Sequence, residues 1–363
     1  MINPRTAARA QSGAANDLAA AASSSSSSSS APAPRPPPAY IDIGANLLDG
    51  MYRGKYQGKK YHEPDLDAVL SRARKANVVA QIVTSGSLSE SRQSISLCSQ
   101  PGKEDLYCTV GCHPTRSKEV AKHPGGLKAY MAALDELLTE HSKHNGGRVV
   151  AVGECGLDYD RLFFSTEEEQ KPVFEAQLDL AIKHRLPLFL HNRNSTNDFL
   201  AILEPRLEEL KGMAASPTPA HRAGVVHSFT DSREEMDRFL SLGFYISVNG
   251  CSLKTEDQLT TIAACPLDRL MLETDAPWCS LKASHASAKH KGHYGQDWKD
   301  IYEPAAVKRE KKDVAGNEGK MVKDRNEPCA IGQVSGVVAR LKGADVRQLA
   351  EVCERNTRWV FGL

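Results

Sequence analysis

Four apolar runs in the chain each stop on side chains able to bind a cation. Val149 to Gly153 stops on Glu154, Leu188 to Leu190 on His191, and Val225-Val226 on His227; Leu270 to Leu272 runs into Glu273-Thr274-Asp275. Short β-branched and apolar runs of this kind read as buried strands. A carboxylate at the end of such a strand needs a cation or a donor beside it, because burying a bare charge is very costly. If the four ends meet, Glu154, His191, His227 and Asp275 offer mixed nitrogen and oxygen ligands. That donor set suits a hard or borderline divalent ion such as Mg2+, Mn2+ or Zn2+.

The elements that must bring these ends together are legible as an alternation. From Tyr40 onward, strand-like segments begin near residues 41, 78, 106, 149, 187, 224, 244 and 269, with helix-like segments between them. The helices are expected at about 65–76, 89–99, 127–144, 166–183, 197–210, 232–242 and 255–264. Alternation at this spacing argues for parallel strands joined by helical crossovers. Eight units point to an α/β fold of the TIM (β/α)8 barrel type, whose chemistry sits at the C-terminal ends of the strands. Asp42, His113, Glu154, His191, His227 and Asp275 all fall at such ends, on six different strands. Two further helices, about 332–341 and 346–361, would close the barrel.

Composition bounds the rest. With 40% hydrophobic and 25% charged residues the chain reads as an ordinary globular protein. No apolar run nears the roughly 20 residues that span a bilayer, so no membrane partner is expected. A net charge of +1 gives no global basic footprint, so an anionic substrate must be drawn locally. Residues 1–38 carry a Ser23–Ser30 run and Pro36-Pro37-Pro38, and read as a disordered tail before a hydrolase domain at 39–363. Arg5 and Arg9 leave a mitochondrial address open beside a cytoplasmic or nuclear one. The 9 scattered cysteines, with no C-x-x-C, suggest free thiols in a reducing compartment. Cys108 and Cys112 read as buried structural residues rather than zinc ligands. Residues 282–325 form a polar, basic insertion, which reads as a solvated loop or as a guide for a phosphate backbone.

Gly153-Glu154-x-Gly156-Leu157-Asp158-Tyr159, Gly111-x-His113-Pro114, His191-x-Arg193 and Glu273-Thr274-Asp275-Ala276-Pro277 together resemble the TatD deoxyribonucleases. These are metal-dependent hydrolases on a TIM barrel, related to the amidohydrolases. The likeness runs from about Ile41 to Phe361, and Lys323 to Pro328 resembles the eukaryotic branch. In one place the chain departs from many relatives: where they carry Asp-x-His-x-His, it has Asp42-x-Gly44-x-Asn46, as in the subgroup nearest the family's namesake. That difference favours Mg2+ or Mn2+ over a tight zinc pair. Asn46 retains an amide oxygen for the ion, and Asp42 either ligates or orients.

The resemblance implies hydrolysis of DNA phosphodiester bonds, largely 3′→5′ exonucleolytic, in DNA degradation or repair. Glu154, His191 and His227 would hold the ion, and Asp275 would ligate it and act as general base. His113 would donate to the scissile phosphate or its leaving oxygen, and Arg193 would clamp phosphate oxygens. Tyr159 and Trp278 would stack on or bond to nucleotides, and each also suits simple packing. Two rival readings remain open: an amidohydrolase acting on a small amide or ester, which Glu154 at the end of the fourth strand disfavours, and a non-catalytic nucleic-acid-binding relative, which Glu154 and Asp275 disfavour. Oligomeric state is not legible.

Overall fold

The computed structural model describes residues 36–212, 222–292 and 294–363, and Pro37–Leu363 form one compact unit. The tail expected over 1–38 lies almost wholly outside the described residues. Eight parallel strands lie in chain order in one sheet: β1 (Tyr40–Ala45), β2 (Val78–Val83), β3 (Leu106–Val110), β4 (Val149–Asp158), β5 (Leu188–Arg193), β6 (Gly224–Val226), β7 (Tyr245–Val248) and β8 (Leu270–Leu272). The last strand returns to the first. Ala45 bridges Ala276, Asn46 N donates to Ala276 O at 2.7 Å, and Asp275 N donates to Gly44 O at 2.8 Å. The chain is a TIM barrel, as its alternating pattern predicts.

Helices cover the outside: α1 (Leu66–Lys75), α2 (Leu88–Cys98), α3 (Ser117–Lys122), α4 (Gly126–His141), α5 (Glu167–His184), α6 (Thr196–Leu203), α7 (Leu207–Lys211), α8 (Arg233–Ser241), α9 (Glu256–Ala264), α10 (Gln296–Tyr302), α11 (Ile331–Lys342) and α12 (Val346–Phe361). Local chemistry sets their starts. Thr166 and Ser232 close reciprocal caps with Glu169 and Glu235 at the heads of α5 and α8. Each such cap stabilises its helix by about 1 kcal/mol. The single helix expected at 197–210 is two, with a turn at Glu204–Arg206, because Pro205 cannot donate to the helical ladder.

Side chains alternate across each strand. One set packs under the helices. The other, with Ile41, Ile43, Ile82, Phe189, Val225, Tyr245 and Met271, fills the barrel, and Val360 and Phe361 of α12 join it. The interior is therefore a packed core rather than a pore.

The basic insertion is not an unstructured loop. It holds α10 and a small parallel pair, Ala306–Val307 with Met321–Val322. Its one buried arginine is firmly paired: the Arg325 guanidinium grips Asp65 twice at 2.7 Å and Glu327 at 2.8 Å. Arg72 of α1 holds the other side of Glu327 at 2.7 Å, tying insertion to barrel. Among the described residues, no helix is long and apolar enough to cross a membrane.

Candidate metal centre

Strand β4 does not stop at Glu154. It pairs with β5 as far as Asp158, with a register irregularity between Gly153 and Cys155. The Gly-Glu pair is thus a kink within a long strand, and it delivers the Glu154 carboxylate into the barrel mouth. One oxygen, Oε1, lies 2.7 Å from His227 Nε2, 2.9 Å from His191 Nδ1 and 3.3 Å from His113 Nε2. Three imidazoles from three strand ends thus converge on one carboxylate oxygen.

Two of the rings are braced from behind by buried carboxylates. Asp158 Oδ2 lies 3.0 Å from His191 Nε2, and Glu273 Oε2 lies 3.5 Å from His227 Nδ1. Asp158 is itself fixed by the amides of Asp160 and Arg161, each at 3.1 Å, and by Arg161 Nε at 2.7 Å. A carboxylate behind a ligating imidazole fixes ring orientation and raises ligand basicity.

The electrostatics follow from this crowding. Burial pushes Glu154 up, but His227 and His113 overcome it and hold the carboxyl well below its usual range. Burial opposes the charged form of His227, yet Glu154 and Glu273 hold its pKa well above the ordinary imidazole value. Burial lowers His113 to about 4, so its ring is neutral near pH 7. His113 Nδ1 accepts from Thr115 N at 3.1 Å, leaving the proton on the Nε2 that faces Glu154. Burial lifts Asp275 to about 7, with His227 opposing.

These residues fit a divalent cation. The ligand atoms of Glu154, His191 and His227 lie within 4.8 Å of one another, and His113, Asp158 and His191 form an adjoining trio. Buried Glu273 Oε2 makes no hydrogen bond and meets His227 Nδ1 only at ion-pair distance, 3.5 Å. A Cβ at Gly44 would come within 2.8 Å of that same oxygen, so a side chain at this departure from Asp-x-His-x-His would require the Glu273 carboxylate to shift.

A cavity of about 590 Å³ opens above this floor, lined by Glu154, His113, His191, His227 and Asp275, with Asn46, Arg193 and Trp278 on its walls. Asp275 Oδ1 accepts from Asn46 Nδ2 at 2.8 Å, and Asn46 Oδ1 accepts from Thr84 Oγ1 at 2.7 Å. Trp278 is half exposed at the rim. The Arg193 guanidinium faces the cavity with no hydrogen-bond or ion-pair partner among the described residues.

Two candidates sit elsewhere. Ile41 and Ile43 point into the barrel, so alternation turns Asp42 the other way. Its oxygens accept from Thr274 N at 2.9 Å, Thr274 Oγ1 at 2.5 Å and Gly44 N at 3.2 Å. Asp42 therefore sits in the seam between β1 and β8, in an orienting position rather than a ligating one. Tyr159 follows Asp158 and points outward; its hydroxyl donates to Asp198 at 2.7 Å, and it does not line the cavity. No described residue of 282–325 lines the cavity either.

The cysteines require a correction. Cys251 and Cys279 form a disulfide across 28 residues, with a Cα–Cα distance of 5.0 Å, while the other seven, Cys108 and Cys112 among them, are buried free thiols. The loops after β7 and β8 meet at the cavity mouth so closely that a Cβ on Gly250 would fall 2.0 Å from Cys279 O. No spacing motif announces such a pair. Asp158, Arg161 and Glu273 join the site beyond the residues expected from the sequence. A signal existed for Asp158: it lies two strand repeats beyond Glu154, hence on the same face.

The comparisons agree with this arrangement. A family model described as TatD related DNase matches residues 41–362. "Deoxyribonuclease Tat-D" of Schizosaccharomyces pombe is 40% identical over 318 residues, spanning 88% of this chain and 94% of that protein. "3'-5' ssDNA/RNA exonuclease TatD" of Edwardsiella piscicida is 32% identical, spanning 89% of this chain and 99% of that one. The crystal structure of an uncharacterized amidohydrolase from Saccharomyces cerevisiae superposes with a TM-score of 0.80 at 36% identity, covering 90% of this chain and 100% of that chain. With a match to all but the tail, and with the quoted motifs gathered at one end of the barrel, the chain belongs to the TatD-related DNase family.

Proposed function

We propose that this protein is a divalent-metal-dependent deoxyribonuclease that removes nucleotides 3′→5′ from single-stranded DNA ends, in DNA degradation or repair. The observation that carries the reading is the Glu154 oxygen held by three imidazoles, two of them braced by buried carboxylates. Glu154, His191 and His227 would hold the cation, with Asp275 and Asn46 beside it. A bound divalent cation supplies charge to a phosphoryl oxygen and makes a coordinated water more acidic. Mg2+ or Mn2+ suits a donor set with no thiolate and several carboxylates.

The chain's own groups do the rest. Asp275, fixed by Asn46, accepts the proton of the attacking water. Neutral His113 presents an Nε2–H to a phosphoryl oxygen. Arg193 offers two parallel donors to the adjacent phosphate. Trp278 at the rim provides an apolar face for the terminal base.

The test uses single-stranded oligonucleotides labelled at the 5′ or the 3′ end, incubated with Mg2+, Mn2+ or EDTA. A 5′-labelled strand should shorten one nucleotide at a time with either metal and stay intact in EDTA. Unchanged strands in both metals, or metal-independent cutting, would end this reading.

A further inference from the structure

Next to the cavity runs a second groove of about 420 Å³, and the two share Thr115, Arg116 and Arg161 on their walls. Whatever reaches the floor can therefore continue into it without leaving the protein surface. Four cations line the groove, Arg116, Lys118, Lys122 and Arg161, against the single carboxylate of Glu119. Arg116 is paired with Glu119 at 2.8 Å, and Arg161 is bound to Asp158. Lys118 and Lys122 have no side-chain partner among the described residues.

The groove wall also carries an aromatic ring. Phe164 lines it, and Phe163 beside it is 76% exposed, far beyond what packing requires. Their ring centroids lie 4.3 Å apart at a 40° tilt. The turn that carries them is anchored at both ends. Asp158 holds the amides of Asp160 and Arg161 at 3.1 Å, and Ser165 Oγ accepts from Lys118 N at 3.0 Å. The rings are thus held out by the same carboxylate that braces His191.

We propose that this groove is the track for the 5′ remainder of a single-stranded polynucleotide whose 3′ end lies on the cavity floor. This rests on the nuclease reading above. Unpaired lysines would follow the backbone, and Phe163 and Phe164 would take the faces of unstacked bases. A cationic channel with stacking platforms is the sequence-tolerant way to hold single strands. A duplex, with its base faces buried, could not use the rings.

The test compares wild type with Phe163→Ala/Phe164→Ala and with Lys118→Ala/Lys122→Ala. These side chains are exposed, so each variant should keep the wild-type Tm. Binding of a fluorescent phosphorothioate dT12 in Mn2+ buffer is followed by anisotropy, and turnover of a dinucleotide is measured in parallel. The phenylalanine variant should bind dT12 at least about fivefold more weakly, given the typical worth of a stacked base. The lysine variant should lose about 0.7 per residue from the slope of log affinity against log salt. Both should turn over the dinucleotide within twofold of wild type. Wild-type binding of dT12 by both variants would overturn the track. Equal binding of a duplex of the same length, equally weakened by both variants, would overturn the single-strand assignment. Weakened dT12 binding with no cleavage of any nucleotide substrate would support the track and remove the nuclease reading.

Discussion

Asp158 is the most informative residue to change, because it touches the proposed metal site only through His191. Its Oδ2 meets His191 Nε2 at 3.0 Å and Arg161 Nε at 2.7 Å, while Oδ1 accepts the amides of Asp160 and Arg161. In Asp158→Asn the amide oxygen can keep the two backbone donors. The NH2 group then faces two donors and loses two charge-assisted bonds. Hydrogen bonds to charged groups contribute about 1.5–3 kcal/mol each, so a folded but destabilised protein is expected. The greater effect should be on metal affinity. Loss of a carboxylate behind a ligating imidazole typically costs about 10–100-fold, or roughly 1.4–2.7 kcal/mol. Calorimetric titration with Mn2+, beside circular dichroism to verify the fold, measures this directly. Turnover at saturating Mn2+ should recover much of the wild-type kcat, since the residue positions a ligand rather than touching substrate. Mn2+ affinity within twofold of wild type, in a folded variant, would refute the bracing role.

Four further outcomes are expected. Glu154→Ala and Asp275→Ala should each abolish cleavage while thermal melting still shows a folded barrel; near-wild-type turnover in either would remove that residue from the mechanism. Arg193→Ala should raise KM for oligonucleotides and leave kcat nearly intact, and steady-state kinetics with the signature confined to kcat would contradict a clamping role. Arg325→Met leaves buried Asp65 with only Lys312 at 3.8 Å and Glu327 with only Arg72, so urea denaturation should show a loss of about 3–5 kcal/mol; a loss under about 1 kcal/mol would mean the network adds little. Reducing the Cys251–Cys279 bond, which spans 28 residues, should lower stability by at most about 3.5 kcal/mol on the loop-entropy relation, and a denaturation midpoint that ignores reductant would count against the bond.

Much of the barrel is written locally in the chain. Every strand expected between Tyr40 and Leu272 is present, because parallel strands buried on both faces read as continuous apolar runs. Their polar ends are equally legible, because Glu154, His191 and His227 each interrupt an apolar run in or just past a strand's C-terminal half. What stayed hidden depends on direction or distance. Asp42 and Tyr159 have the right chemistry, yet strand alternation turns each away from the cavity. Asp158 lay past what looked like the end of a strand, since a Gly-Glu pair resembles a terminus until the sheet carries it onward. Cys251 and Cys279 are joined only by the meeting of two loops. The insertion at 282–325, read as a solvated loop or a guide for a phosphate backbone, acts as a buttress, because Arg325 reaches Asp65 across more than half the chain and joins it to the neighbouring Glu327.

The seam where β1 meets the segment after β8 has a consequence for synthesis on the ribosome. Two of the three hydrogen bonds to the Asp42 carboxylate come from Thr274, and Asn46 and Gly44 bind main-chain groups of residues 275 and 276. A growing polypeptide that has not yet released these residues holds most of its helices and strands but no finished jaw. Prematurely terminated products should therefore be harmless to nucleic acids, and hydrolytic competence should switch on only as the final quarter of the chain emerges.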